Sequence, residues 1–253
     1  MTDTVKEFGG NAVRAIEATQ PGRHLFAEVR YTYYLLVTQG QREIRVPDLL
    51  SFSVFLLSRA TEARVIIAES GQELQVGDAV QVESATLTLA VNGPAARLLV
   101  AGTCQASGRD AGVTVTPAPG IYKVAKPWGH ELWINGQHPN YALKEISIRA
   151  GNKTSLQYHR QKQETNVLFH GAARLHFKND SRVPNDEVGT GNLGFVDVQA
   201  VSAIDVVPLV IHRLEALTDV LLYEVSTPHL DDVVRIQDDA GRPDGRIANE
   251  HRG

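Results

Sequence analysis

The stretch "SLQYHRQKQETNVLFHG" (155–171) places Gln157, His159 and Glu164 within eight residues and then turns apolar. On an extended strand successive side chains alternate faces, so Gln157 and His159 project the same way. A strand over 164–170 returning antiparallel would bring Glu164 close to that pair. Downstream, "PLVIHRLEA" (208–216) offers His212 near the start of another strand. Two imidazoles and two oxygen donors suit one divalent first-row ion, zinc first and Mn, Fe, Ni or Co as alternatives, with room for water or substrate. No thiolate is in the set, which argues against a closed structural zinc site. The same residues also fit a hydrogen-bonded polar strand end, and taken alone they do not choose between the two.

The surrounding chain reads as strand almost throughout. "HLFAEVRYTYYLLVT", "SFSVFLLS", "ARVIIA" and "ARLLVAG" precede "YALKEISI", "ARLHF", "SAIDVV" and "VLLYEVS". These segments are short, rich in β-branched and aromatic residues, and often separated by Gly, Pro, Asn or Asp, which predicts an all-β barrel or sandwich. One short helix is expected around residues 11–19. "CQASGRDAGVTVTPAPGIY" (104–122) is rich in Gly, Pro and Ser and reads as a linker. The expected organisation is a first β-domain over 1–103, a linker over 104–120, a metal-binding β-domain over 121–242 and a polar tail over 243–253. "VPNDEVGTGNLG" (183–194) reads as a long polar loop.

Composition narrows the class. The 253 residues are 43% hydrophobic and carry 25 basic and 29 acidic side chains, for a net charge of -4. No basic block stands out, so nucleic acid is not an expected partner. The longest apolar runs, such as "VPLVI", are strand-sized, and no membrane span is expected. Cys104 is the single cysteine and forms no internal disulfide. With no signal-like apolar run in the first 19 residues, a soluble cytoplasmic protein is expected. Open sheet edges need cover, which points to a homodimer.

The spacing Gly151, Gln157, His159, Glu164, Gly171 resembles the first motif of the cupins, with Gln157 where the first histidine usually sits. Pro208 and His212 loosely resemble the second motif, with Ala216 in place of its usual Asn. The resemblance implies two cupin-like β-barrel (jelly-roll) domains, a bicupin, with a metal inside the second. The first 120 residues hold one histidine, His24, and no such motif, so that domain is expected to be metal-free. "YKVAKPWGHELWI" (122–134), "SLQYH" and "YEVSTPHLDDVVRIQDDAGR" (223–242) are similar, in order, to segments of type II phosphomannose isomerases. Those domains also occur at the C-terminus of mannose-1-phosphate guanylyltransferases. Two histidines of the family's "Q-x-H-H-H-R" are Arg160 and Gln161 here, and Ala240 replaces its Tyr.

Carried over residue by residue, the resemblance implies metal ligation by Gln157, His159, Glu164 and His212. It also implies a role for Arg235 in isomerase chemistry. Lys126, Lys144 and Glu224 occupy polar positions that could face the barrel interior. The expected activity is aldose–ketose isomerisation of a sugar or sugar phosphate, resembling mannose-6-phosphate isomerase. Lys144 or Glu224 would move the proton, and Arg235 or Lys126 would hold a phosphate. A non-catalytic carbohydrate- or effector-binding bicupin and a metal-dependent cupin oxygenase are the alternatives. For Arg235 a structural ion pair with Asp231 or Asp232 competes with the catalytic role.

Overall fold

The computed structural model describes residues 4–8, 11–15, 22–28, 31–45, 49–178, 193–245 and 247. The chain opens with β1 (Thr4–Phe8) and β2 (Asn11–Ala15). It continues through β3 (Gly22–Glu28), β4 (Thr32–Thr38), β5 (Arg42–Arg45), β6 (Ser51–Arg59), β7 (Arg64–Ile67) and β8 (Glu73–Leu74). Then come β9 (Ala79–Glu83), β10 (Thr88–Asn92), β11 (Ala96–Thr103), β12 (Gly112–Thr116), a short 3-10 turn (Ala118–Gly120), β13 (Tyr122–Lys126) and β14 (Gly129–Asn135). The remaining strands are β15 (Ala142–Ile148), β16 (Leu156–Tyr158), β17 (Glu164–His170), β18 (Ala172–Phe177), β19 (Gly194–Gln199), β20 (Ser202–Val206), β21 (His212–Ala216), β22 (Val220–Ser226) and β23 (Val234–Gln237). Among the described residues no helix is long and apolar enough to cross a membrane.

The strands form two compact units, each built from two sheets. In one unit a six-stranded sheet, β12-β9-β6-β11-β4-β3, accompanies a four-stranded sheet, β5-β10-β7-β8. Its core gathers Tyr34, Phe52, Val54, Leu56, Val80, Leu89 and Leu98 from both sheets. The alternating burial of "TLAVN" in β10 is the period-2 pattern of a half-buried strand. The continuous burial along "SFSVFLL" in β6 marks a strand covered on both faces.

The other unit pairs an eight-stranded sheet, β1-β2-β20-β17-β22-β15-β14-β13, with a five-stranded sheet, β19-β18-β21-β16-β23. Trp128, Ile146, Ile148, Leu168, Leu175, Leu214 and Leu222 pack between them. This two-sheet antiparallel architecture is that of a jelly roll, and the all-β, two-domain expectation holds. The motif glycines have a backbone reason here. Gly151 sits in a turn at φ +75. Gly171 turns β17 into β18 at φ +88, and a Cβ there would lie 2.2 Å from the Asp219 carbonyl oxygen. Only glycine takes that conformation at no steric cost.

Three expectations need correction. Residues 11–15 of the expected helix are strand β2, which pairs antiparallel with β20 from Ala12↔Asp205 to Ala15↔Ser202. An available sheet edge and burial of Val13 in the second unit's core outweigh the helical preference of an alanine-containing segment. The linker is not free either. Its "GVTVT" forms β12 and pairs with β9, so the alternation of Val and Thr was a strand signal inside a turn-rich stretch. The division by sequence also shifts. One unit comprises Met1–Ile16, Lys123–Gly136 and Lys144–Gly253, and the other Glu17–Tyr122 and Gln137–Leu143. The last segment is held within its unit by Tyr141, whose hydroxyl lies 2.9 Å from Ser53 Oγ, and by His138, 3.2 Å from Glu83. Residues 16–19, 183–192 and 248–253, and the side chain of His24, lie outside the described residues.

Candidate metal centre

The later sheet strands bring the expected ligands together. Gln157 on β16 stands directly opposite His212 on β21 and pairs on its other side with Arg235 on β23. Glu164 opens β17, flanked by β20 and β22. One donor atom each from His159, Glu164 and His212 lies within 4.8 Å of the others, and all three side chains are buried. His159 Nε2 is 3.4 Å from Glu164 Oε2, and His212 Nε2 is 3.2 Å from Glu164 Oε1.

Backbone carbonyls fix both rings. His159 Nδ1 is hydrogen-bonded to the Asp232 carbonyl and His212 Nδ1 to the Val210 carbonyl at 3.0 Å. A ring that donates from Nδ1 presents the lone pair of Nε2. Both Nε2 atoms are buried and make no hydrogen bond. Two orphaned ring nitrogens converging on one carboxylate fit a divalent ion of the zinc type, because the ion would satisfy all three donors at once. Burial and the nearby Lys162 charge depress the His159 pKa, which favours the neutral, ligating form. Burial alone would raise the Glu164 pKa. The adjacent Lys162 charge outweighs that and holds it well below the usual carboxylate range.

Gln157, the fourth expected donor, lines the same pocket. Its Oε1 accepts a hydrogen bond from Ser155 Oγ at 2.5 Å, leaving one lone pair on the oxygen. The loop carrying His159 is tied down by Asp232, whose carboxylate accepts hydrogen bonds from the backbone N–H groups of Gln161 and Lys162.

Lys144, Glu224 and Lys126 also line this pocket, and they are buried. Sequence reasoning missed their connections. Lys162 Nζ lies 2.5 Å from Glu164 Oε2 and 2.8 Å from Glu224 Oε1. Lys144 Nζ is 3.8 Å from Glu224 and 4.0 Å from Glu131, and Lys126 Nζ is 3.4 Å from Glu131. Lys162 and Glu131 carried no motif signal. "RQKQE" reads as a polar loop, and a lone charge on a strand ordinarily faces water.

Arg235 reaches the pocket, yet its guanidinium donates to the Pro243 and Gly245 carbonyls, and its backbone N–H to Asp244 Oδ1 at 2.6 Å. Asp238 binds Arg242 through both Nε (3.0 Å) and Nη2 (2.7 Å), and Asp239 pairs with Arg213 at 2.9 Å. Among the acidic residues after 230, Asp238 and Asp239 thus serve as ion-pair partners. Trp128 is buried in the core, His170 is exposed, and His176 bonds Glu215 at 2.7 Å.

Residues 120–238 match the family model described as mannose-6-phosphate isomerase, C-terminal. No curated protein matches the chain by sequence. Among solved structures, the YlbA protein of E. coli superposes with a TM-score of 0.65 at 9% identity, covering 89% of this chain and 93% of that one. AerE from Microcystis aeruginosa gives 0.59 at 10% identity over 89% and 96%. The oxalate decarboxylase of Lactobacillus farciminis, in its formate complex, gives 0.57 at 13% identity over 92% and 86%. At these identities the likeness speaks for the fold alone. Residues 120–238 thus resemble the C-terminal domain of mannose-6-phosphate isomerase, and the chain as a whole shares its two-domain β fold with these solved structures.

Proposed function

We propose that this pocket holds one divalent metal ion on His159, Glu164 and His212, with Gln157 as a further donor, and that it isomerises a sugar between aldose and ketose forms. The observation that carries this reading is the pair of buried, unbonded Nε2 atoms facing Glu164 in a pocket also lined by Glu224 and Lys144. A bound ion would supply Lewis-acid polarisation of a carbonyl or hydroxyl oxygen. The chain's own groups do the rest. Isomerisation moves one proton between adjacent carbons and another between their oxygens. Glu224 offers a carboxylate on the pocket wall that accepts and returns the carbon-bound proton. Lys144 and Lys162, on either side of it, are donors for negative charge developing on oxygen.

The reading is tested by following deuterium uptake at C2 of free and phosphorylated aldoses in D2O, with zinc-loaded and chelator-treated protein and with Glu224→Gln. Metal-dependent uptake that Glu224→Gln abolishes supports it. Sugar binding without any uptake favours a second reading, a carbohydrate-binding cupin. One observation speaks for that alternative: Lys162 already neutralises the carboxylate that a metal would use.

A further inference from the structure

The wall of this pocket carries a row of buried charges that no motif announces. The sheet order β17-β22-β15-β14-β13 places Glu164, Glu224, Lys144, Glu131 and Lys126 on five successive strands. Lys162 fills the step between the first two. Read along the wall, the signs alternate: Glu164, Lys162, Glu224, Lys144, Glu131, Lys126. None of the six is more than 9% exposed, and each consecutive pair lies within 4.0 Å.

Stability does not explain such a row. Desolvating an ion costs several kcal/mol even after relaxation, and apolar side chains of similar volume are often at least as stable. Recognition explains it better. We infer that the row selects an uncharged, polyhydroxylated ligand, a free sugar or alditol, over its phosphate ester. This inference rests on the sugar-binding reading of the pocket.

Every ammonium in the row has a carboxylate oxygen within 4.0 Å. A phosphate dianion only accepts, so it cannot approach any of these lysines without meeting a carboxylate. The row's own three positive and three negative charges cancel, so apart from an ion held at Glu164 it offers a phosphate no net attraction. The two arginines that line the pocket are engaged, Arg242 by Asp238 and Arg235 by backbone carbonyls. A hydroxyl both donates and accepts, so it is satisfied by a carboxylate or an ammonium wherever it meets the row. Each ammonium has three protons and each carboxylate about four lone-pair sites, more than the pairs within the row consume.

Calorimetric titration of the full-length, zinc-loaded protein tests the inference, using D-mannose, D-mannitol, D-mannose 6-phosphate and inorganic phosphate as probes. The expected result is that a free sugar or alditol binds at least about tenfold tighter than the phosphate ester, and that inorganic phosphate does not compete. Glu131→Gln removes one negative charge and should raise the relative affinity for the ester by about tenfold, with folding checked by circular dichroism. Tighter binding of the ester by the parent protein overturns the inference and leaves the sugar reading standing, whatever happens to the variant. Failure of all sugars, free and phosphorylated, to bind overturns the sugar reading and the inference with it.

Discussion

The ammonium of Lys162 lies 2.5 Å from Oε2 of Glu164, the carboxylate that the Nε2 atoms of His159 and His212 also face. One carboxylate is thus shared between a cation of the chain and the place a metal would take. Lys162→Met should destabilise the metal-free protein by about 3–5 kcal/mol, because it leaves Glu164 and Glu224 buried with one fewer partner. Zinc should restore much of that loss, since it neutralises Glu164 in the lysine's place. Urea denaturation with and without zinc measures both effects. Unchanged stability of the metal-free variant would show that the pair does not form.

Metal affinity should fall unequally along the ligand set. His159→Ala and His212→Ala each remove an imidazole that a backbone carbonyl orients, and each should weaken zinc binding more than Gln157→Ala does. A neutral amide oxygen is the poorest donor of the set, and here it also serves Ser155. Competition against a chromogenic chelator gives the affinities. Full zinc retention in the His159→Ala, His212→Ala double variant would remove the assignment.

The charged row gives stability an acid limb. Burial would raise the Glu131 pKa, but Lys144, Lys126 and the Trp133 N–H outweigh it and hold it at about 2, against an ordinary value of 4.5. A depressed carboxylate contributes stability that is complete above its unfolded pKa and is lost as pH falls toward the folded one. The loss therefore falls between pH 4.5 and about 2. It has a slope of at most about 1.4 kcal/mol per pH unit for this one group. Denaturation midpoints across that window should drop less steeply in Glu131→Gln than in the parent, and equal slopes would contradict the role of this carboxylate.

Gly171→Ala tests the turn behind the ligand strand. A Cβ there would meet the Asp219 carbonyl oxygen at 2.2 Å with φ at +88. The cost should exceed the about 1 kcal/mol that separates Gly from Ala where φ is favourable, and the melting temperature should fall by several degrees. An unchanged melting temperature would mean that the turn relaxes freely.

Arg235→Lys separates positioning from recognition. The guanidinium donates to two carbonyls of the C-terminal segment, so a lysine keeps the charge but loses the fork. Proteolysis after 240 should accelerate while affinity for free sugars changes little. A loss of sugar affinity at unchanged proteolysis would return Arg235 to the ligand.

The alternating β-branched segments, the spacing Gly151, Gln157, His159, Glu164, Gly171 and the later His212 made the all-β class and the clustering of His159, Glu164 and His212 legible in the sequence. Period-2 alternation and turn glycines are local constraints, written over a few residues. Other features depended on partners far along the chain. Residues 11–15 became a strand because β20 left an edge for them, and 112–116 became a strand because β9 did. The charged row was out of reach for the same reason. Lys126 and Glu224 are almost a hundred positions apart, and neither shows in its own neighbourhood that it is buried. Sheet order alone put them on one wall, where each charge is tolerated because the next strand supplies its opposite.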